Sequence, residues 1–82
     1  MKYTLSAHAR KRMQERSIPL RLVESALQSP DKVSYDRNRR LLVKKLYLKR
    51  DQERLLLIAG EFETGELRII TVIDTSKVKK YL

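Results

Sequence analysis

The sequence predicts an α+β fold in which two N-terminal helices pack on a mainly antiparallel sheet of about four strands. Residues 19–28 repeat apolar side chains at helical spacing, which is typical of an amphipathic helix. After Lys32, segments rich in Val, Ile, Leu and Thr alternate with polar turns of hairpin length. Helices followed by hairpin-connected strands indicate an α+β arrangement.

The first elements are a short strand over residues 3–5 and a helix that follows Ser6. Serine is a good N-cap because its hydroxyl accepts a hydrogen bond from a free amide of the first turn. The helix has a thin apolar stripe, Ala9 and Met13, with Leu5 before it. We therefore expect it to lie on the surface, with its arginine stems covering part of the core.

The second helix starts at Ile18-Pro19 and ends at Ser29-Pro30. At about 100° per residue, its apolar side chains share one face. These side chains are Leu20, Leu22, Val23, Ala26 and Leu27. We expect this face to pack on the sheet, with Leu20, Val23 and Leu27 buried.

The remaining segments are predicted strands separated by polar turns. The strands cover residues 33–35, 41–48, 55–61 and 67–73, and the turns cover residues 36–39, 50–53 and 63–66. Residues 55–59 are continuously apolar, as in a central strand that is covered on both faces. Gly65 takes the left-handed position of the last turn. The sequence assigns no structure to the basic tail, residues 76–82.

The chain is expected to form one domain, residues 1–82, because no linker, repeat or low-complexity run divides it. It contains no cysteine, no apolar run long enough to span a bilayer and no signal-peptide pattern. These observations predict a cytoplasmic protein without a membrane partner.

The charge of the chain is strongly positive. Nineteen Lys and Arg residues against ten Asp and Glu residues give a net charge of +9 and a pI near 10.2. A field of this size attracts polyanions and speeds their encounter with the protein. The charge therefore favours a nucleic acid or an acidic protein as partner, and the alternative is a charge that serves solubility alone.

His8 is the one histidine of the sequence and lies in an arginine-rich segment. Arg12 follows one helical turn later, and Arg16 one turn after Arg12. Histidine exchanges a proton near neutral pH, and the arginine fork binds phosphate through two hydrogen bonds. His8 is therefore a candidate general base or acid, and Arg12 and Arg16 are candidate phosphate ligands for cutting or gripping RNA. The alternative is a solvated helix face.

A second set of candidate residues lies on the predicted strands. Lys45 and Tyr47 share one face of their strand, and Arg54 precedes the next apolar run. A cation beside an aromatic ring is suited to RNA, because the ring stacks on a base and the cation binds a phosphate. The alternative is that these residues keep an edge strand soluble.

No metal site and no cofactor are predicted. Glu61, Glu63 and Glu66 surround a hairpin, where flexible carboxylates usually face water, and the one histidine is distant in sequence. Gly60 and Gly65 are too few and too isolated to form a glycine-rich phosphate loop.

The first thirty residues also contain a specific pattern. They read S-x-H-A-x-x-R-M-x-x-R-x-I from Ser6 to Ile18 and V-x-x-A-L-x-x-P from Val23 to Pro30, and residues 70–72 read ITV. On these motifs, most of the chain resembles a family of small prokaryotic domains. That family looks related to the RelE/ParE-like toxins, BrnT included, of bacterial and archaeal toxin–antitoxin pairs.

The resemblance implies a RelE-like toxin of a type II pair that acts as a metal-independent ribonuclease on mRNA, either free or ribosome-bound. In such enzymes the 2′-OH of RNA attacks the neighbouring phosphate. The resemblance supports roles for His8, Arg12 and Arg16 only, and it implies a small acidic antitoxin as partner. A homodimer stays open. Two alternatives also remain: a non-catalytic basic module that binds nucleic acid or an antitoxin, and a gyrase-directed toxin.

Overall fold

The computed structural model describes residues 2–82, which form five strands and three helices. In chain order the elements are β1 (Tyr3–Leu5), α1 (Ala7–Glu15), α2 (Leu20–Gln28), β2 (Lys32–Tyr35), β3 (Leu41–Lys49), β4 (Gln52–Glu63), β5 (Glu66–Thr75) and α3 (Val78–Tyr81). The predicted α+β class is confirmed. None of these helices within residues 2–82 is long and apolar enough to span a bilayer.

The strands form a single mixed sheet in the order β1-β5-β4-β3-β2. Strands β2 to β5 pair with their sequence neighbours in antiparallel fashion, whereas β1 runs parallel to β5, with Leu5 opposite Ile69. The predicted arrangement of two helices on a mainly antiparallel sheet is confirmed in outline, but the sheet has five strands rather than about four, and the parallel pairing of β1 with β5 was not predicted. Strand β1 spans three residues and pairs with a distant segment, so local sequence patterns do not report its partner.

Two tight turns join the long central strands. Arg50 and Asp51 connect β3 to β4 with φ angles of 52° and 64°, and Thr64 and Gly65 connect β4 to β5 with φ angles of 47° and 80°. Positive φ at both central residues matches the right-handed twist of the flanking strands. The predicted left-handed position of Gly65 is confirmed.

Helices α1 and α2 cover one face of the sheet. The N-cap prediction for Ser6 is confirmed, because its Oγ accepts a hydrogen bond from the Ala9 amide at 3.0 Å. The same hydroxyl donates to the Ile70 carbonyl at 2.9 Å, which ties the start of α1 to β5. Ala9 and Met13 are buried as the thin apolar stripe requires.

Helix α2 buries Val23 and Ala26 completely, which confirms the prediction for Val23. Leu22 and Leu27 pack against the same core but are only partly buried, so Leu27 is less buried than predicted. The prediction that Leu20 is buried is wrong, since 46% of it is exposed. Pro19 is the N-cap rather than a first-turn residue, so Leu20 is the first helical position. There it borders a shallow depression lined by α1 and by Leu5 of β1.

The opposite face of the sheet is partly covered by α3, the segment to which the sequence assigns no structure. Leu55 of the central strand is buried, although it lies on the face opposite to Leu56. Lys44 Nζ donates a hydrogen bond to the Tyr81 carbonyl, and Lys32 Nζ donates to the Leu82 carbonyl at 3.0 Å. These two lysines hold the C-terminal turn against the strands.

Candidate functional site

One end of the sheet brings together the turn after α1 and the β3–β4 turn. Helix α1 ends in a Schellman motif, in which the Ile18 amide donates to the Met13 carbonyl at 2.8 Å and the Ser17 amide donates to Gln14 at 3.3 Å. Ser17 has a φ of 52°, so it occupies the left-handed position that reverses the chain. The reversal buries Ile18 and leaves Arg16 exposed at the end of the helix.

A cleft of about 570 Å³ lies between these turns and the ends of β4 and β5. Its charged lining consists of four cations and two carboxylates: Arg16, Lys49, Arg50, Arg54, Glu15 and Asp74. Four positive and two negative charges leave +2 on the walls. Arg16, Lys49 and Arg50 form no ion pair with any residue in the part of the chain that the structure describes. We therefore call this the cationic cleft.

Arg54 and Asp74, which both line the cleft, form a hydrogen-bonded network with Tyr47. Tyr47 and Arg54 are directly opposite each other on β3 and β4. The Arg54 guanidinium donates from Nε and Nη2 to the two oxygens of Asp74, both at 2.9 Å, and the Tyr47 hydroxyl donates to Asp74 Oδ1. Only 6% of the Asp74 side chain is exposed. Its carboxylate fixes both partners in place.

The electrostatics of this network follow from burial and from its hydrogen bonds. Burial, and then the hydrogen bond to Asp74, raise the pKa of Tyr47 to about 12. Burial alone would raise the pKa of Asp74, but the hydrogen bonds from Arg54 and Tyr47 outweigh it and lower that pKa. At neutral pH the network therefore holds a neutral phenol, a carboxylate and a guanidinium, which suits ligand binding better than proton transfer.

The structure brings together three of the residues predicted as site candidates. Arg16 and Arg54 line the cationic cleft, and Tyr47 is joined to its lining through a hydrogen bond to Asp74. The Lys45 ammonium instead donates to the Ser29 carbonyl at 2.7 Å, at the C-terminus of α2, and lies 4.0 Å from the Asp31 carboxylate. Lys45 therefore stabilises the end of a helix.

His8 and Arg12 lie elsewhere on α1. His8 is exposed in the first turn, and Arg12 is half-buried one turn later. His8 precedes Arg16 by eight residues, which corresponds to about 12 Å along the helix axis. Neither residue lines the cationic cleft. The structure thus places the His8 imidazole at the opposite end of α1 from the cationic cleft.

Four charged residues of the cleft were not among the predicted candidates: Glu15, Lys49, Arg50 and Asp74. Asp74 carried a signal, because aspartate is rare within a β-branched strand such as residues 69–73. A carboxylate in that position needs a cationic partner if it is buried. Lys49 and Arg50 lie at a turn, where charged residues are common, and had no comparable signal.

No group of three or more His, Cys, Asp or Glu side chains within residues 2–82 is arranged to hold a metal ion.

Comparison with known proteins finds one family. A family model described as a domain of unknown function (DUF4258) matches residues 5–74, from the end of β1 to the carboxylate of the network. No curated protein and no solved structure matches the chain significantly. The matched range includes every residue of the cationic cleft.

Proposed function

This chain belongs to the DUF4258 family, and we propose that it is the toxin of a type II toxin–antitoxin pair and binds RNA phosphates in the cationic cleft. The observation that carries the proposal is the convergence of Arg16, Lys49, Arg50 and Arg54 on one cleft. Phosphate groups are the polyanionic ligands that such a cluster recognises, and RNA supplies them in series. The resemblance of residues 6–30 to a family of small prokaryotic domains, which in turn looks related to RelE/ParE/BrnT-like toxins, supports the biological setting.

The cleft offers a phosphate ligand more than a general attraction between opposite charges, because one of its arginines is held in a fixed orientation. Asp74 holds the Arg54 guanidinium by Nε and Nη2, so its orientation is set before a ligand arrives. A preorganised arginine loses less side-chain entropy on binding than a free one. Arg16 and Lys49 have no internal carboxylate to release within residues 2–82.

The proposal is tested with two matched double variants. Lys49→Glu/Arg50→Glu reverses two charges in the cleft, and Lys79→Glu/Lys80→Glu reverses two exposed charges on α3. We expect the cleft variant to bind a fluorescein-labelled single-stranded RNA at least tenfold more weakly than the α3 variant, measured by fluorescence anisotropy. If the two variants weakened RNA binding equally, the affinity would depend on the total charge of the protein and not on the cleft, which would contradict the proposal.

Cleavage of the bound RNA is the second candidate function, and the exposure of His8 favours it. His8 and Arg12 are separated by four residues on α1, so their Cβ atoms are about 6 Å apart on one helix face. In the proposed reaction His8 takes the proton of the 2′-OH, and the 2′-oxygen attacks the adjacent phosphorus. The bond from phosphorus to the 5′-oxygen breaks, and that oxygen takes a proton from water. Arg12 binds the non-bridging oxygens. The products end in a 2′,3′-cyclic phosphate and a 5′-hydroxyl.

The toxin assignment has its own test in cells. Induced expression of the chain in a bacterium is expected to arrest growth, and co-expression of a small acidic protein encoded by the neighbouring gene is expected to restore growth. Growth that is unaffected at high expression would contradict the toxin assignment. Growth arrest that persists in the Lys49→Glu/Arg50→Glu variant would indicate a target other than RNA in the cleft, such as gyrase.

A further inference from the structure

A second cavity, of about 530 Å³, adjoins the cationic cleft and shares Arg16, Ser17 and Lys49 with it. Its volume lies within the range of small-molecule sites, about 300–1,000 Å³. Its walls come from the turn after α1, from α2 and from β3, and most of their accessible area is apolar, from Ile18, Pro19, Leu22, Tyr47 and Leu48. Arg21 and Ser25 of α2 also line it. We call it the apolar pocket.

One wall of the apolar pocket is an open strand edge. Strand β2 pairs with β3 only as far as Lys44. Beyond that point Asp31 takes the place of a strand, because its amide donates to the Lys44 carbonyl at 2.9 Å and its Oδ2 accepts from the Leu46 amide at 2.7 Å. Backbone groups of alternate strand residues point to the same edge. The N–H and C=O of Leu48 therefore point outward, where no strand within residues 2–82 pairs with them.

We propose that the apolar pocket binds one nucleobase of the RNA whose phosphate occupies the cationic cleft. The proposal rests on the proposed function and names the part of RNA that this second cavity takes. A nucleobase has two apolar faces and an edge with adjacent hydrogen-bond donors and acceptors. Leu22 and Leu48 contact its faces, and the N–H and C=O of Leu48 pair with its edge.

The shared lining favours a nucleobase over a purely apolar ligand. Arg16 and Lys49 border both cavities. A ligand that occupies the two cavities together therefore needs a negative charge in the cationic cleft and, next to it, an apolar ring with hydrogen-bonding groups in the apolar pocket. A nucleotide has this combination, because its phosphate and its base are joined through one ribose. An unpaired base in single-stranded RNA is free to turn away from the strand and enter such a pocket.

The test compares two probes that differ only by the base. Adenosine 5′-monophosphate and ribose 5-phosphate both carry the phosphate, and each is titrated into the ¹⁵N-labelled protein while amide chemical shifts are recorded. We expect both probes to shift the amides of Arg16 and Lys49, and the nucleotide alone to shift those of Leu22 and Leu48. Base stacking predicts that the nucleotide binds about fivefold or more tightly than the sugar phosphate.

Matched variants locate the effect. Leu48 is 73% exposed and Leu20 is 46% exposed, so neither Leu48→Ser nor Leu20→Ser removes a core side chain. Leu48→Ser is expected to reduce the affinity for adenosine monophosphate to that for ribose 5-phosphate. Leu20→Ser, outside the pocket, is expected to change neither affinity.

Equal affinities of the two probes, without shifts at Leu48, would overturn the nucleobase pocket. RNA binding measured on the same samples separates this result from a failure of the proposed function. If RNA still binds and Lys49→Glu/Arg50→Glu weakens it, only the nucleobase pocket is wrong. If neither RNA nor the nucleotide binds, both proposals are wrong.

Discussion

Replacing Asp74 with alanine is expected to destabilise the domain strongly for a change at the site. The substitution leaves the Tyr47 hydroxyl and the Arg54 guanidinium without their shared acceptor, the side chain of Asp74 being only 6% exposed. Removing one partner of a buried ion pair costs about 3–5 kcal/mol. Because 24% of the Arg54 side chain is exposed to water, we expect a smaller loss of about 2–4 kcal/mol.

The loss is measured by urea unfolding at pH 7, followed by circular dichroism. A double-mutant cycle with Tyr47→Phe isolates the network. Tyr47→Phe alone is expected to cost about 1 kcal/mol, and close to nothing when Asp74 is already alanine. In thermal unfolding, Asp74→Ala is expected to lower Tm by about 10–25 °C. A loss below about 0.5 kcal/mol, typical of surface substitutions, or strictly additive effects would refute the network as a unit.

The acid limb of the stability curve provides a second measure of the same prediction. Since the pKa of Asp74 is lowered in the folded protein, its contribution to stability is complete above the unfolded value of about 3.9. The contribution is lost as the pH falls through the folded pKa. Wild type is therefore expected to lose more stability than Asp74→Ala between neutral and strongly acidic pH.

Three further predictions concern other parts of the molecule. The pKa of Tyr47 is raised to about 12 in the folded protein. The contribution of Tyr47 to stability is therefore complete below the unfolded pKa of about 10 and is lost as the pH rises toward the folded pKa. In urea unfolding, the wild-type protein is expected to lose more stability between these two pH values than the Tyr47→Phe variant. Leu56→Ala, in the fully buried centre of β4, is expected to lower the free energy of unfolding by about 2–5 kcal/mol. Leu20→Ala, at the half-exposed start of α2, is expected to lower it by well under half as much. Similar losses in the two variants would contradict the observed burial. If the chain cleaves RNA, His8→Ala is expected to slow cleavage by about 10²–10⁴-fold and to leave the RNA affinity and the Tm unchanged. Chelators are expected to have no effect on the cleavage rate. Full activity of the His8→Ala variant would exclude His8 from the reaction.

Much of the fold could be predicted because its signals are local. The apolar face of α2, the Ser6 cap and the left-handed Gly65 each depend on residues a few positions apart. The parallel pairing of β1 could not be predicted in this way. It depends on contacts between distant residues, such as the hydrogen bond from Ser6 to Ile70, two residues that are 64 positions apart in the sequence. The α3 turn is similar, since it is held by Lys32 and Lys44 from the distant strands β2 and β3.

The site could be predicted only in part. Arg16, Tyr47 and Arg54 were identified by their chemistry, and the fold places them together. Lys45 had the same sequence signal as Tyr47, yet its ammonium is engaged at the end of α2. Side-chain alternation along β3 does not show which of the two has a helix C-terminus beside it. Asp74 makes the network, and only three-dimensional pairing shows that Arg54 is its partner.

The salt dependence of RNA affinity tests the central claim most directly. Each phosphate contact with a single strand contributes about −0.7 to the slope of log K against log salt concentration. Removing three cleft charges, with Arg16→Gln, Lys49→Gln and Arg50→Gln, is therefore expected to reduce the steepness of the slope by about 2. The matched triple variant Lys77→Gln, Lys79→Gln and Lys80→Gln is expected to keep the wild-type slope. Equal slopes for the two triple variants would contradict phosphate binding in the cationic cleft.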